Sequence, residues 1–284
     1  MYHRSVEVDG IEVFYREAGD RERQTLLLLH GLPSSSQMFR DLMLLLADDF
    51  HLVAPDLPGF GHTQSPPPDE FAYTFDHLAA IVDGFARALA IDRFALYVFD
   101  YGAPVGLRIA TARPERVAGL IVQNGNAYVE GLSEATRPLQ SYWEDRAAGE
   151  EAMRALLTLD GTRFQYTAGV PEGELERLSP DSWTLDRHFL ELPGREQAQL
   201  DLLYDYRTNV ASYPAWQAYL REHQPPTLIA WGEHDPFFTV PGAEAYLRDL
   251  PDAELRLFPT GHFALATHAV EIAQAIRDFR PRMA

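Results

Sequence analysis

Three polar side chains far apart in the sequence, Asp100, Asp235 and His262, are of the types that could together carry out a displacement and a hydrolysis. Asp100 sits in Ala95-Leu96-Tyr97-Val98-Phe99-Asp100-Tyr101-Gly102-Ala103-Pro104, an apolar strand running into a sharp turn with a helix behind it. A strand-to-helix turn with one polar side chain at its tip and glycine two residues later is the layout of a nucleophile elbow. Such turns commonly carry serine. An aspartate there shifts the expected chemistry from acyl transfer toward displacement at a saturated carbon, and it tolerates the positive φ that the turn demands. Taken alone, an aspartate ending a strand would read as a cap or turn residue. Three other stretches change that reading. In His30-Gly31-Leu32-Pro33, a glycine turn after a buried strand can aim the Leu32 amide where the Tyr101 amide points, giving two donors to an oxyanion. Gly232-Glu233-His234-Asp235-Pro236 ends a strand and puts Asp235 on the same rim. Gly261-His262-Phe263 follows the last strand. In chain order the three are a candidate nucleophile, an acid and a histidine. The two amides are expected to lower the Asp100 pKa by bonding its charged form. His30 is expected beside the substrate, orienting its own loop.

These residues need a frame that brings strand ends together. Asp9-Gly10 separates two alternating segments, Arg4 to Val8 and Ile11 to Arg16, the signal for a tight hairpin. Residues 25–29, 52–56, 117–122 and 227–231 are apolar runs of the kind buried on both faces of a sheet, and Glu254 to Phe258 is a further strand. Helices are predicted from about Gln37 to Leu46, from Thr74 with apolar spacing through Leu89, from about Pro241 to Leu250, and from about Ala264 to Phe279. Strands alternating with helices argue for a mostly parallel sheet covered on both faces. From about Ala127 to Gln224 the pattern breaks, with no buried strand and many acids, tyrosines and tryptophans. This stretch is read as a helical lid. Residues 130–205 hold sixteen acids against seven arginines, about half of the net charge of -18.

Composition narrows the function classes. The 284 residues contain no cysteine, which excludes disulfides, thiolate catalysis and sulfur-ligated metals. The negative charge argues against nucleic acid or an anionic membrane as partner. No leading apolar run marks a signal peptide, and no apolar run is long enough to span a bilayer. A cytoplasmic protein is the default expectation. No histidine other than His262 and His30 has a spacing that suggests a role, and Gly59-Phe60-Gly61 is a turn, not a phosphate cradle.

Nucleophile, acid and histidine in that order, with Asp56-Leu57-Pro58-Gly59-Phe60-Gly61 and the His-Gly loop, make the chain resemble an α/β-hydrolase of the aspartate-nucleophile branch that contains epoxide hydrolases and haloalkane dehalogenases. The resemblance covers nearly the whole chain. It implies an α/β-hydrolase fold: a mostly parallel eight-stranded sheet with helices on both faces, a core of residues 1–126 and 225–284, and a helical cap of 127–224 inserted after strand six. It implies no cofactor and no metal, a small and apolar substrate, and leaves a homodimer open. It further implies Asp100 as nucleophile, forming an aspartyl alkyl ester that is broken down by water activated by His262 as base, with Asp235 as the acid that orients it.

The subfamilies differ in how they assist the leaving group. Epoxide hydrolases protonate it with two lid tyrosines, one of which precedes arginine; Tyr206-Arg207 matches that segment. At the other position Leu139 or Gln140 aligns, with Tyr142 a helical turn later as the candidate. Haloalkane dehalogenases use a tryptophan next to the nucleophile and a second donor; this chain has Tyr101 and Leu32 at two of those positions, leaving Trp143 and Trp183 as lid donors beside the substrate. Val98 is more dehalogenase-like. Fluoroacetate dehalogenases carry arginine where Tyr101 stands. Epoxide hydrolysis leads, dehalogenation is the alternative, and a hydrolase-fold ligand-binding protein with little turnover is the third reading.

Overall fold

The two segments flanking Asp9-Gly10 pair as β1 (Tyr2–Val8) and β2 (Ile11–Ala18) in the computed structural model, which describes residues 1–283. Asp9 and Gly10 both have positive φ, as a two-residue turn matched to strand twist requires. Six further strands follow: β3 (Thr25–Leu29), β4 (His51–Pro55), β5 (Phe94–Phe99), β6 (Val117–Gln123), β7 (Thr227–Gly232) and β8 (Glu254–Phe258). They form one sheet in the order β1-β2-β4-β3-β5-β6-β7-β8. Only β2 runs against the other strands, so its pairings with β1 and β4 are antiparallel and the rest are parallel.

The continuous apolar runs are explained by where alternate side chains go. Leu26, Leu28, Ala95 and Tyr97 face one layer, with α1 (Arg40–Leu46) and α11 (Leu265–Phe279). Leu27, Leu29, Leu96 and Val98 face the other, with α2 (Phe75–Ala88), α3 (Gly102–Ala112) and α10 (Val240–Asp249). Side chains alternate across a strand, so a strand covered on both sides must be apolar at every position. Helix starts follow local chemistry: Thr74 caps α2 by accepting from the His77 amide at 3.2 Å. The helix expected from Gln37 instead opens with a 3-10 turn, Ser36–Phe39, whose start is capped by Ser35 accepting from the Gln37 amide.

Between β6 and β7 the chain is helical: α4 (Arg137–Glu144), α5 (Arg146–Leu156), α6 (Leu159–Thr167), α7 (Pro180–Leu190), α8 (Arg195–Asp205) and α9 (Arg207–His223), joined by turns. Met153, Leu203 and Tyr206 from these helices join the apolar cluster on the α2/α3 face of the sheet. Among the described residues no helix is long and apolar enough to cross a membrane.

Candidate active site

The parallel strands all end on one edge of the sheet, and the polar residues singled out above follow those ends. Asp100 comes directly after β5 with φ of 47°, two residues before the start of α3. This is the left-handed region, which aspartate enters at less cost than most residues. Its Oδ1 accepts from the Leu32 amide at 2.7 Å. That approach depends on Gly31, where an added Cβ would lie 2.2 Å from Oδ1. Burial drives the Asp100 carboxyl up to about 6, against the pull of His262 and of the Leu32 and Tyr101 amides. The net direction is therefore opposite to the sequence expectation: the amides do lower the pKa, but removal from water outweighs them.

His262 lies in the turn after β8, with Nδ1 2.7 Å from Asp235 Oδ2 and Nε2 3.9 Å from Asp100 Oδ2. One imidazole nitrogen is thus held by a carboxylate and the other faces Asp100. Burial lowers the His262 pKa, but Asp235 and Asp100 outweigh it and the net shift is upward. Asp235 is fixed in turn, its Oδ1 by the Phe237 amide at 2.7 Å and its Oδ2 by Asn124 Nδ2 at 2.8 Å. Asn124, absent from the sequence reading, follows β6 with a positive φ and also accepts from the Gly232 amide through Oδ1 at 2.9 Å. Its place just past a strand end is the available signal, but its partners lie more than a hundred residues away.

A cavity of about 260 Å³ opens over Asp100 and His262. Its wall is apolar, built from residues such as Leu132, Leu139, Met153, Leu156 and Phe238, with no lysine, arginine or second carboxylate. Tyr206, at the junction of α8 and α9, lines it. Burial, then the neighbouring Tyr213 and Asp100, hold the Tyr206 hydroxyl well above the ordinary tyrosine value, so it remains a proton-bearing donor.

The other lid expectations are corrected. Tyr142 does not line the cavity; its hydroxyl donates to the Leu200 carbonyl at 3.2 Å, and Leu139 occupies the wall instead. Trp143 gives its indole N–H to the Leu203 carbonyl at 2.9 Å and stacks behind Tyr206. Trp183 lies outside the lining, packed beside Tyr166. His30 is fully buried and also outside the lining. Its Nε2 accepts from the Leu57 amide and its Nδ1 contacts the Gly31 carbonyl, while burial pushes its pKa down to about 4. It orients its loop as a neutral ring and does not reach the cavity.

Comparison with known proteins shows the family to which this fold belongs. The model for the alpha/beta hydrolase fold matches residues 24–269. The chain is 43% identical over 280 residues to an uncharacterized hydrolase of Saccharomyces cerevisiae, covering 97% of this chain and 95% of the yeast protein. It is 28% identical over 289 residues to a haloalkane dehalogenase of Mesorhizobium japonicum, covering 95% and 88% respectively. A ligand-free epoxide hydrolase superposes with a TM-score of 0.78 at 18% identity, covering 99% of each chain.

Proposed function

The chain belongs to the alpha/beta hydrolase fold family, and from that premise we propose that it hydrolyses an electrophilic carbon compound through an ester on Asp100, with an epoxide as the substrate and a diol as the product. The observation that carries this reading is a carboxylate on the cavity floor, one oxygen on the Leu32 amide and the other facing a histidine held by Asp235.

In the first step Asp100 Oδ2 attacks an epoxide carbon, the carbon–oxygen bond breaks, and the departing oxygen takes the proton of Tyr206. In the second, His262 Nε2 takes a proton from water and the hydroxide adds to the ester carbonyl. The Leu32 and Tyr101 amides then bind the oxyanion. Collapse restores the Asp100 carboxylate and releases the alcohol, and solvent returns the imidazolium proton to the Tyr206 oxygen. Water has been added across one carbon–oxygen bond. Residues 127–224 act in this scheme as a cap that supplies Tyr206 and keeps the cavity dry.

Two features support an oxygen over a halide as leaving group. Tyr206 lines the cavity with its hydroxyl kept protonated, while the Trp143 indole is already spent on a carbonyl. The Mesorhizobium relative favours the second reading, dehalogenation through the same ester. A diol assay run beside a halide-release assay separates the two, and saturable binding with turnover in neither points to the binding-protein alternative. His262→Ala is the decisive variant. It should trap a stoichiometric adduct by intact mass, mapped to residue 100. An active Asp100→Ala enzyme would overturn the proposal.

A further inference from the structure

One buried carboxyl has no part in the scheme above. Asp186, on α7, is 1% exposed, and its Oδ2 accepts from the Tyr166 hydroxyl at 2.6 Å. The same hydroxyl lies 3.5 Å from Ser34 Oγ, and Ser34 closes the turn that carries Leu32 by donating its amide to the Gly31 carbonyl at 2.9 Å. The Tyr166 ring stacks on Phe263, the neighbour of His262, with centroids 3.9 Å apart and planes 14° from parallel. Just beyond α6 the Ala168 carbonyl presses on Gly261, where an added Cβ would come within 2.0 Å of it. A single hydroxyl at the end of α6 therefore meets the loop that presents Leu32, while its ring and the following backbone meet the loop that presents His262. Asp186 fixes that hydroxyl.

We propose that Asp186 is a positioning residue, which through Tyr166 braces the Leu32 loop against the His262 loop and so governs ester breakdown more than ester formation. The inference rests on the two-step reading above. Breakdown needs the Leu32 amide on the oxyanion and His262 on the water, both on braced loops. Formation needs a free Asp100 oxygen and Tyr206, which are not. A carboxylate is suited to the task because a charged acceptor makes a stronger hydrogen bond to a hydroxyl than a neutral one. Burial nevertheless raises the Asp186 pKa to about 7 against the pull of the Tyr166 and Ser34 hydroxyls and of Arg40. Holding a carboxyl there is costly to the fold, and a purely packing role would be filled better by an apolar side chain.

The test is a rapid-quench mass measurement of the ester fraction in Tyr166→Phe, which keeps the ring on Phe263 and removes the hydroxyl. Breakdown should slow about tenfold, the order expected for one lost hydrogen bond in a catalytic array, with ester accumulating and its formation rate unchanged. Ser34→Ala and Asp186→Leu, which removes the acceptor, should shift the balance in the same direction, whereas Asp186→Asn, which retains an acceptor, should keep much of the wild-type rate. Hydrogen exchange should quicken at residues 31–34 and 261–263 in Tyr166→Phe. Wild-type breakdown in Tyr166→Phe, or equal loss of both steps together with a lowered Tm, would overturn the proposal. The exchange measurement keeps the two readings apart. If His262→Ala traps no ester, the proposed reaction fails, and unchanged exchange in those loops would sink the brace independently.

Discussion

Replacing Asp100 with asparagine should make the protein inactive and more stable, and the gain should depend on pH. Asparagine tolerates the φ of 47° at this turn and keeps an oxygen for the Leu32 amide, so the backbone and the 2.7 Å bond survive. What disappears is the buried charge. The Asp100 pKa rises from 3.8 to about 6 in the folded protein. At ~1.4 kcal/mol per pH unit, the ionised carboxylate costs the fold about 3 kcal/mol. The sign follows from linkage. A carboxyl whose folded pKa is raised binds its proton more tightly folded than unfolded, so stability falls as pH rises from about 4 to about 6 and levels off above. The Asp100→Asn side chain cannot ionise and escapes that loss. Urea unfolding at pH 4 should find the variant and the wild type nearly equal. At pH 8 the variant should be ahead by about 3 kcal/mol, roughly 5–10 °C in Tm. A gap of the same size at both pH values, or a variant less stable at pH 8, would refute the argument that desolvation of Asp100 is what the cavity costs.

Two other substitutions probe the groups around it. Tyr206→Phe should slow ester formation by ~100-fold or more, the usual worth of a general acid, and leave ester breakdown alone in single-turnover measurements; an unchanged rate would reduce Tyr206 to packing. Asn124→Ala removes the amide donor from Asp235 Oδ2. Asp235 then draws the His262 proton more strongly, so kcat should fall about tenfold, a positioning effect, and the acid limb of its pH profile should move to higher pH. A limb that stays in place would show that Asn124 does not act on the dyad.

Much of this molecule is legible in its sequence because strands covered on both faces leave unbroken apolar runs. Leu26 to Leu29 and Ala95 to Phe99 need no partner to be read as strands, and the helix from Thr74 shows its own periodicity. The residues after those runs are legible for the same reason, since parallel strands must all end on one edge. Asp100, Leu32, Asp235 and His262 converge because of that geometry. Burial and side-chain direction are harder to read. The sign of the Asp100 shift escapes the sequence because desolvation belongs to the closed cavity, whereas the amide bonds belong to the local turn. Leu139 and Tyr142 are a turn apart on α4, and only the packing of α8 decides that Tyr142 turns to Leu200 while Leu139 faces the cavity. Asn124 and the Asp186–Tyr166–Ser34 link are contacts across long intervals, with no local pattern to announce them.

The place where the helices enter the sheet has a consequence for how this protein could diversify. β6 and β7 are neighbours, yet residues 124–226 run between them. The entropy of closing such a connection grows only with the logarithm of its length, so halving or doubling it alters folding by ~0.6 kcal/mol. The strands that carry Asp100, Asp235 and His262 are nearly indifferent to how long that connection is. New side chains over the nucleophile can therefore arise by insertion, deletion or wholesale exchange at one junction, while the reacting groups keep their places on the sheet.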